Sequence, residues 1–216
     1  MEPPSLPEAA VSQYTKNPPL NAEDVAADPF AQFLCWLEDA RAAGMIEPGA
    51  MALATADKDA VPSLRIVLFK GIHDGQFTFY TDYRGRKAQE LAVNPAAAAT
   101  FWWDRLERQV RIEGGVTKVS RELSATYFAT RYRGSQLAAH TSRQSSVVSD
   151  RAELEARLAE TEARFGDGPV PLPEHWGGYG LTPRSVEFWQ GRGGRFHDRL
   201  RYCRDGAGWR LERLEP

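Results

Sequence analysis

Apolar residues along this chain fall into two rhythms. After Asp28-Pro29, which reads as a helix N-cap with proline at the first helical position, Phe30, Phe33, Leu34, Leu37 and Ala40 recur at helical spacing up to Gly44. Strand-like segments follow at 50–56, 63–70, 76–81, 97–103 and 108–119, with turn chemistry at 57–60 and 73–75. Two further helical patterns come next. One opens at Ser120, carries Leu123 and Tyr127-Phe128, and runs to Arg133-Gly134; the other opens at Ser149-Asp150 and carries Leu154, Leu158 and Phe165 up to Gly166. Strand rhythm returns at 185–190, 199–204 and 208–214. Neighbouring strands joined by tight turns, with helices inserted, predict an α+β fold on a mostly antiparallel barrel with flanking helices, not alternating βαβ units. Residues 1–22, with Pro3, Pro4, Pro7, Pro18 and Pro19 and few apolar anchors, read as a flexible N-terminal arm, which leaves 23–216 as a single domain.

Composition narrows the class. With 216 residues, 42% hydrophobic and 11% aromatic, the chain is too apolar for disorder. A chain of this length hides roughly 70% of its unfolded surface on folding. No apolar run approaches the ~20 residues of a membrane span, and the opening stretch lacks the basic-then-apolar layout of a signal peptide, so a cytoplasmic protein with no membrane partner is expected. Cys35 and Cys203 form no CxxC pair, and no His/Cys/Asp/Glu grouping has metal-ligand spacing, so no metal is expected. The net charge of −2 hides a sorting: residues 1–50 carry two basic side chains against eight acidic, and the remainder 25 against 21. Only five of the 27 cations are lysines. Arginine suits bidentate recognition of phosphate, although an arginine-rich composition alone has the same look.

Placement therefore has to carry the chemistry. In Ser63-Leu64-Arg65-Ile66-Val67-Leu68-Phe69-Lys70, the two cations are five apart, so a regular strand points them to opposite faces, either toward two different anions or simply out to water. Tyr80-Thr81-Asp82-Tyr83-Arg84-Gly85-Arg86-Lys87 runs from strand through glycine into a helix start. Cations there oppose the helix dipole unless an anion sits between them, although Walker spacing is absent. Tyr127, Arg131 and Ser135 are spaced four and four, which stacks them along one side of a helix and its exit turn. Finally, Arg195, His197 and Arg199 share a face if their segment is extended, and flanking arginines disfavour protonated His197. No nucleophile elbow or Ser–His–Asp set supports hydrolysis.

Taken together, RIVLFK (65–70), FYTDYRGRKAQE (79–90), LERQVRIEG (106–114), YFATRYRGSQ (127–136), SRQSS (142–146), VPLPEHWGGY (170–179) and EFWQGRGGRFHDR (187–199) resemble the pyridoxamine 5′-phosphate oxidase family over roughly residues 28–216. The resemblance implies an FMN-binding split β-barrel and a homodimer with FMN at the subunit interface. It assigns FMN to Arg65, Ile66, Val67, Leu68, Phe69, Lys70, Tyr80, Thr81, Arg86, Lys87, Gln109, Gln144, Ser145, Trp189 and Arg199. It assigns the substrate, pyridoxamine or pyridoxine 5′-phosphate, to Lys70, Tyr127, Arg131 and Ser135, with Arg195 and His197 as catalytic residues facing the pyridine ring. The chain departs from the family pattern before Tyr14, where Val11, Ser12 and Gln13 fill a stretch that often holds an arginine, so lid contacts from the arm rest on Tyr14.

The reaction so implied is oxidation at C4′ of the substrate by the flavin, which O₂ then reoxidises, yielding pyridoxal 5′-phosphate, hydrogen peroxide and, from the amine, ammonia. Three rivals differ in class. A phenazine-type flavin oxidase would have no use for the phosphate set at Lys70, Tyr127, Arg131 and Ser135. A non-catalytic flavin- or pyridoxal-phosphate-binding protein would show no substrate-dependent oxygen uptake. A nucleic-acid binder would use Phe101-Trp102-Trp103 as a stacking platform, which the near-neutral charge argues against.

Overall fold

The structure, a computed structural model, describes Tyr14 and residues 16–216; the arm's residues 1–13 and Thr15, including Val11, Ser12 and Gln13, lie outside the described residues. Among the described residues five α-helices, α1 (Pro29–Ala42), α2 (Arg86–Val93), α3 (Arg121–Ala129), α4 (Arg133–Thr141) and α5 (Arg151–Phe165), accompany nine strands. These are β1 (Ala50–Ala56), β2 (Pro62–Leu68), β3 (Ile72–His73), β4 (Gln76–Asp82), β5 (Ala96–Trp103), β6 (Arg108–Lys118), β7 (Trp176–Gln190), β8 (Asp198–Asp205) and β9 (Gly208–Arg213). The strands pair in the order β2-β1-β5-β6-β7-β4-β3, with β8 on β7 and β9 on β8, which is the expected α+β, antiparallel class.

The chain divides into two compact units. The first comprises the residues up to Pro48, Phe101–Arg111 and Ser185–Pro216. Its α1 starts as the sequence predicts: the Asp28 carboxylate accepts from the Ala31 amide at 3.1 Å and Pro29 occupies the first turn. Helical spacing then buries Phe33, Trp36, Leu37 and Ala40. Phe33 meets Phe101 at 4.9 Å, Trp36 meets Phe188 edge-on at 5.1 Å, and Phe188 meets Tyr202 at 5.6 Å, so this core is largely aromatic. Residues 16–20 are tied to the same unit: the Lys16 amide donates to Glu107, Asn17 Nδ2 to the Leu106 carbonyl and the Leu20 amide to Asp198.

The second unit comprises Gly49–Thr100 and Ile112–Arg184. β1 alternates as a half-buried strand should, sinking Met51, Leu53 and Thr55, and pairs antiparallel with β2 in the register Leu53↔Arg65. A further cluster of Phe128, Leu137, Ala139, Val170 and Trp176 is roofed by Leu158 and Phe165 of α5.

Three expectations differ from what the structure shows. The helix opening at Ser120 does not run to Arg133: it stops at Ala129, and a new helix starts at Arg133 with exposed Tyr132 before it. β7 begins at Trp176, nine residues before the predicted strand, because Gly177, Gly178 and Gly180 erase the alternating pattern. Those glycines have a packing reason: a Cβ on Gly178 would meet the Tyr80 ring at 2.7 Å and Val119 at 2.6 Å. β2 ends at Leu68, and the chain turns through Gly71 at φ +114°, with the Lys70 amide donating to the Thr78 carbonyl at 2.8 Å.

Candidate functional site

The second unit holds a cavity of about 560 Å³. Thirteen of the expected residues line it: Arg65, Ile66, Val67, Leu68, Lys70, Tyr80, Thr81, Arg86, Lys87, Tyr127, Arg131, Gln144 and Ser145. Arg65 and Lys70 both line this cavity, as do residues of both faces of β2. Phe69 and Ser135 are not lining residues. Phe69 packs on Phe77 at 5.9 Å, and Ser135 sits in the first turn of α4, no longer four-and-four with Tyr127 because the helix is broken between them.

One end of the cavity is a cationic cradle at the start of α2. Gly85 is the N-cap, and a Cβ there would meet the Gln144 carboxamide at 2.5 Å, so glycine is what admits Gln144. Lys87 is buried, and its Nζ donates to Gln144 Oε1 at 2.6 Å and to Thr81 Oγ1 at 3.0 Å, both neutral partners. Burial first, and then the Arg65 charge, pull the Lys87 pKa below its ordinary value. The Arg86 amide donates to Ser145 Oγ at 3.2 Å. Asp82 is already engaged by Arg84 at 2.7 Å. Three cations and a helix N-terminus therefore converge on a space balanced by one buried carboxylate, Glu90, which favours an anion.

The other end is aromatic. Tyr80 stacks on Tyr127 at 4.0 Å and on Trp176 at 5.6 Å, the rings within 16° of parallel. The Arg131 guanidinium lies 4.5 Å from the Trp176 ring centre and 5.6 Å from that of Phe128. Among the described residues its Nη1 is buried with no hydrogen-bond partner, and burial lowers the Arg131 pKa. Buried polar groups are almost always satisfied, so this orphan donor calls for an acceptor. The hydroxyl pKa of Tyr80 is pushed up to about 12 by burial and by Tyr127 and Tyr83, so it stays protonated.

Gln109, Trp189, Arg195, His197 and Arg199 belong to the first unit and are not among the cavity's lining residues. Trp189 and Arg199 are cross-strand partners of β7 and β8. Arg199 Nε donates to buried Glu187 at 2.8 Å, and Gln109 lies in β6. The shared-face argument for Arg195, His197 and Arg199 fails locally. Residues 193–195 form a 3-10 turn with Arg195 at φ +61°, and β8 starts only at Asp198. His197 instead packs on Trp189 at 4.6 Å and on Tyr14 at 5.5 Å, and its Nδ1 accepts from the Arg192 amide at 3.2 Å. Burial, then Arg195, lower the His197 pKa, so the ring is neutral at pH 7. Tyr14 also meets Trp189 edge-on at 5.6 Å, and Gly191 leaves the room its ring fills.

Sequence reasoning passed over Ser63, Leu64 and Trp176, which line the cavity, and Glu90 behind it. Trp176 stands in the segment 170–179, where no sequence neighbour ties it to Arg131. Glu90, one helical turn after Arg86, carried the i,i+4 signature of an ion pair.

Residues 37–165 match the family described as pyridoxamine 5′-phosphate oxidase, and residues 176–216 match the pyridoxine 5′-phosphate oxidase C-terminal dimerisation region. The pyridoxine/pyridoxamine 5′-phosphate oxidase of Rubrobacter xylanophilus is 56% identical over 196 residues, covering 90% of each chain. That of Burkholderia thailandensis is 53% identical over 200 residues, covering 91% of this chain and 93% of the relative. Among solved structures, PhzG from Burkholderia lata, in complex with tetrahydrophenazine-1-carboxylic acid, aligns with TM-score 0.85 and 32% identity over 90% of this chain and 95% of its own. A pyridoxamine 5′-phosphate oxidase-related, FMN binding protein from Nostoc punctiforme aligns with TM-score 0.71 at 19% identity, covering 88% of this chain and 98% of its own, a likeness of fold. The chain belongs to the pyridoxamine 5′-phosphate oxidase family.

Proposed function

We propose that the chain oxidises pyridoxamine 5′-phosphate and pyridoxine 5′-phosphate to pyridoxal 5′-phosphate, using FMN and O₂ and releasing hydrogen peroxide, with ammonia from the amine. The donor set fits FMN. A cradle of Lys87, Arg86, Arg65 and the first amides of α2 suits a phosphate, with Thr81, Gln144 and Ser145 beside it. The outward residues of β2, Leu64, Ile66 and Leu68, offer an apolar edge for a flat ring system. Gln109, Trp189 and Arg199 complete the cofactor's contacts in a homodimer with FMN at the subunit interface. Residues 23–216, which contain both matched family regions, act as one oxidase domain, and we infer that the enzyme works in the cytoplasm.

The observation that carries the substrate reading is the buried, partnerless Nη1 of Arg131. With Lys70, Tyr127 and Ser135 it holds the substrate phosphate, a second anion beside that of the cofactor. A phenazine substrate has no phosphate and would leave this guanidinium unanswered, which favours the phosphorylated substrate. Bound FMN supplies the two-electron acceptor. The chain's residues position the substrate for it: the phosphate grip fixes one end, Arg195 packs over the pyridine ring, and neutral His197 orients the C4′ substituent through its ring nitrogen. His197 is itself held by the Arg192 amide at Nδ1, which leaves Nε2 to face the substrate. Tyr14, packed on His197, closes over that group.

The test is direct. The purified protein should show a bound-flavin visible spectrum and release peroxide with either phosphorylated substrate. Flavin binding without turnover would move the assignment to a binding protein, and failure to bind FMN would overturn it.

A further inference from the structure

Glu90 does not line the cavity, yet it organises the cations that do. Its Oε1 accepts from Arg86 Nε at 2.8 Å. Its Oε2 accepts from Thr55 Oγ1 at 2.5 Å, Ser63 Oγ at 2.6 Å and Arg65 Nη2 at 3.2 Å. Those two hydroxyls also accept from Arg65: Thr55 Oγ1 from Nη1 and Ser63 Oγ from Nη2. The Leu53 carbonyl takes Nη1 as well. The result is a closed network in which each hydroxyl donates to the carboxylate and accepts from the guanidinium, so no member can rotate without breaking two bonds. Among the described residues the Nε bond to Glu90 is the one hydrogen bond shown for the Arg86 guanidinium. Arg86 is otherwise exposed, a long side chain with large rotamer entropy that one contact restrains.

We propose that Glu90 is a positioning residue that presets Arg65 and Arg86 for the phosphate of the cofactor, so that preference for FMN over riboflavin depends on a carboxylate that never touches either. The inference rests on the reading of the α2 cradle as the FMN phosphate site. Two physical effects oppose each other here. Removing the carboxylate raises the net positive charge of the cradle, which by itself tightens anion binding. It also frees Arg86 and replaces charge-assisted bonds, roughly twice as strong as neutral ones, with neutral ones. The network of four bonds on one buried carboxylate, against one charge partly screened at the cavity mouth, makes order the larger effect.

The experiment is titration of the full-length apoprotein with FMN and with riboflavin, followed by flavin fluorescence, for wild type, Glu90→Gln, Glu90→Asp and Lys87→Met. Glu90→Gln should weaken FMN about tenfold or more while riboflavin stays within about twofold, since preorganisation lost at the arginines is felt by the phosphate alone. Glu90→Asp, which keeps the charge but withdraws it by one methylene, should fall between. Equal losses for both flavins would mean that Glu90 only supports the fold, and unchanged or tighter FMN would mean that it only balances charge; either overturns the proposal. If Glu90→Gln does not fold, Glu90→Asp decides: an FMN-specific loss supports the role and an unchanged ratio ends it. Lys87→Met separates the two levels. If it lowers the FMN preference while Glu90→Gln does not, the Glu90 role alone falls. If Lys87→Met leaves the preference intact, the phosphate lies elsewhere and the cradle reading falls with it.

Discussion

Arg131→Met removes the orphaned guanidinium but keeps an apolar side chain against Trp176 and Phe128. In the free protein the change removes a buried unsatisfied donor, which costs about 1–3 kcal/mol, and loses a cation–π contact worth about 0.5–2 kcal/mol. These nearly cancel. Since about 1 kcal/mol shifts Tm by ~2–4 °C at this chain length, the melting temperature should hold within about 4 °C or rise. With ligand the balance is different. A hydrogen bond to a charged group is worth about 1.5–3 kcal/mol, so phosphorylated ligands should bind ~10- to 150-fold more weakly. The assay is quenching of tryptophan fluorescence by pyridoxal 5′-phosphate and by pyridoxal, with thermal unfolding of the same samples. Pyridoxal, lacking the phosphate, should bind the variant and wild type alike. Equal weakening of both ligands, or a Tm drop beyond ~8 °C, would refute the assignment of Nη1 to a phosphate.

Replacing Arg195 with Leu should lower turnover at least about a hundredfold while the protein retains its flavin, if, as proposed, this side chain orients substrate and not cofactor; parallel losses of flavin and turnover would contradict that division. The His197 C2 proton should titrate by NMR below the ordinary histidine value, and Arg195→Leu should move it up only partway, since burial is the larger cause; a full return would make Arg195 the main cause. For Glu90, burial alone would raise the pKa, but the bonds from Ser63, Thr55, Arg86 and Arg65 outweigh it and hold the carboxyl at about 2. A folded pKa below the unfolded one, about 4.3, gives stabilisation that is complete above that value and is lost as pH falls toward 2. Urea midpoints of wild type should therefore drop more steeply than those of Glu90→Gln between about pH 5 and 3; parallel curves would mean that the carboxylate is not held down.

Local chemistry made much of this protein legible in one dimension. Asp28-Pro29, Ser120 and Asp150 announce helix starts because capping uses the residue's own side chain on an amide three residues on. The β1 alternation and the Arg86-Lys87 pair at a helix start are likewise local, and so are the ordered motifs that carry the family resemblance. What depended on tertiary structure was every inference that ran along the chain by periodicity past a break. Tyr127, Arg131 and Ser135 seemed to share one helix face, but the helix ends between them. Arg65 and Lys70 both line one cavity, which strand alternation alone does not reveal. β7 hid behind glycines whose missing side chains make room for Tyr80 and Tyr83. Glu90 as the support of Arg65, and Trp176 as that of Arg131, became visible only when strands and helices distant in sequence closed around them, since burial and the satisfaction of hydrogen bonds are properties of the packed chain and not of its order.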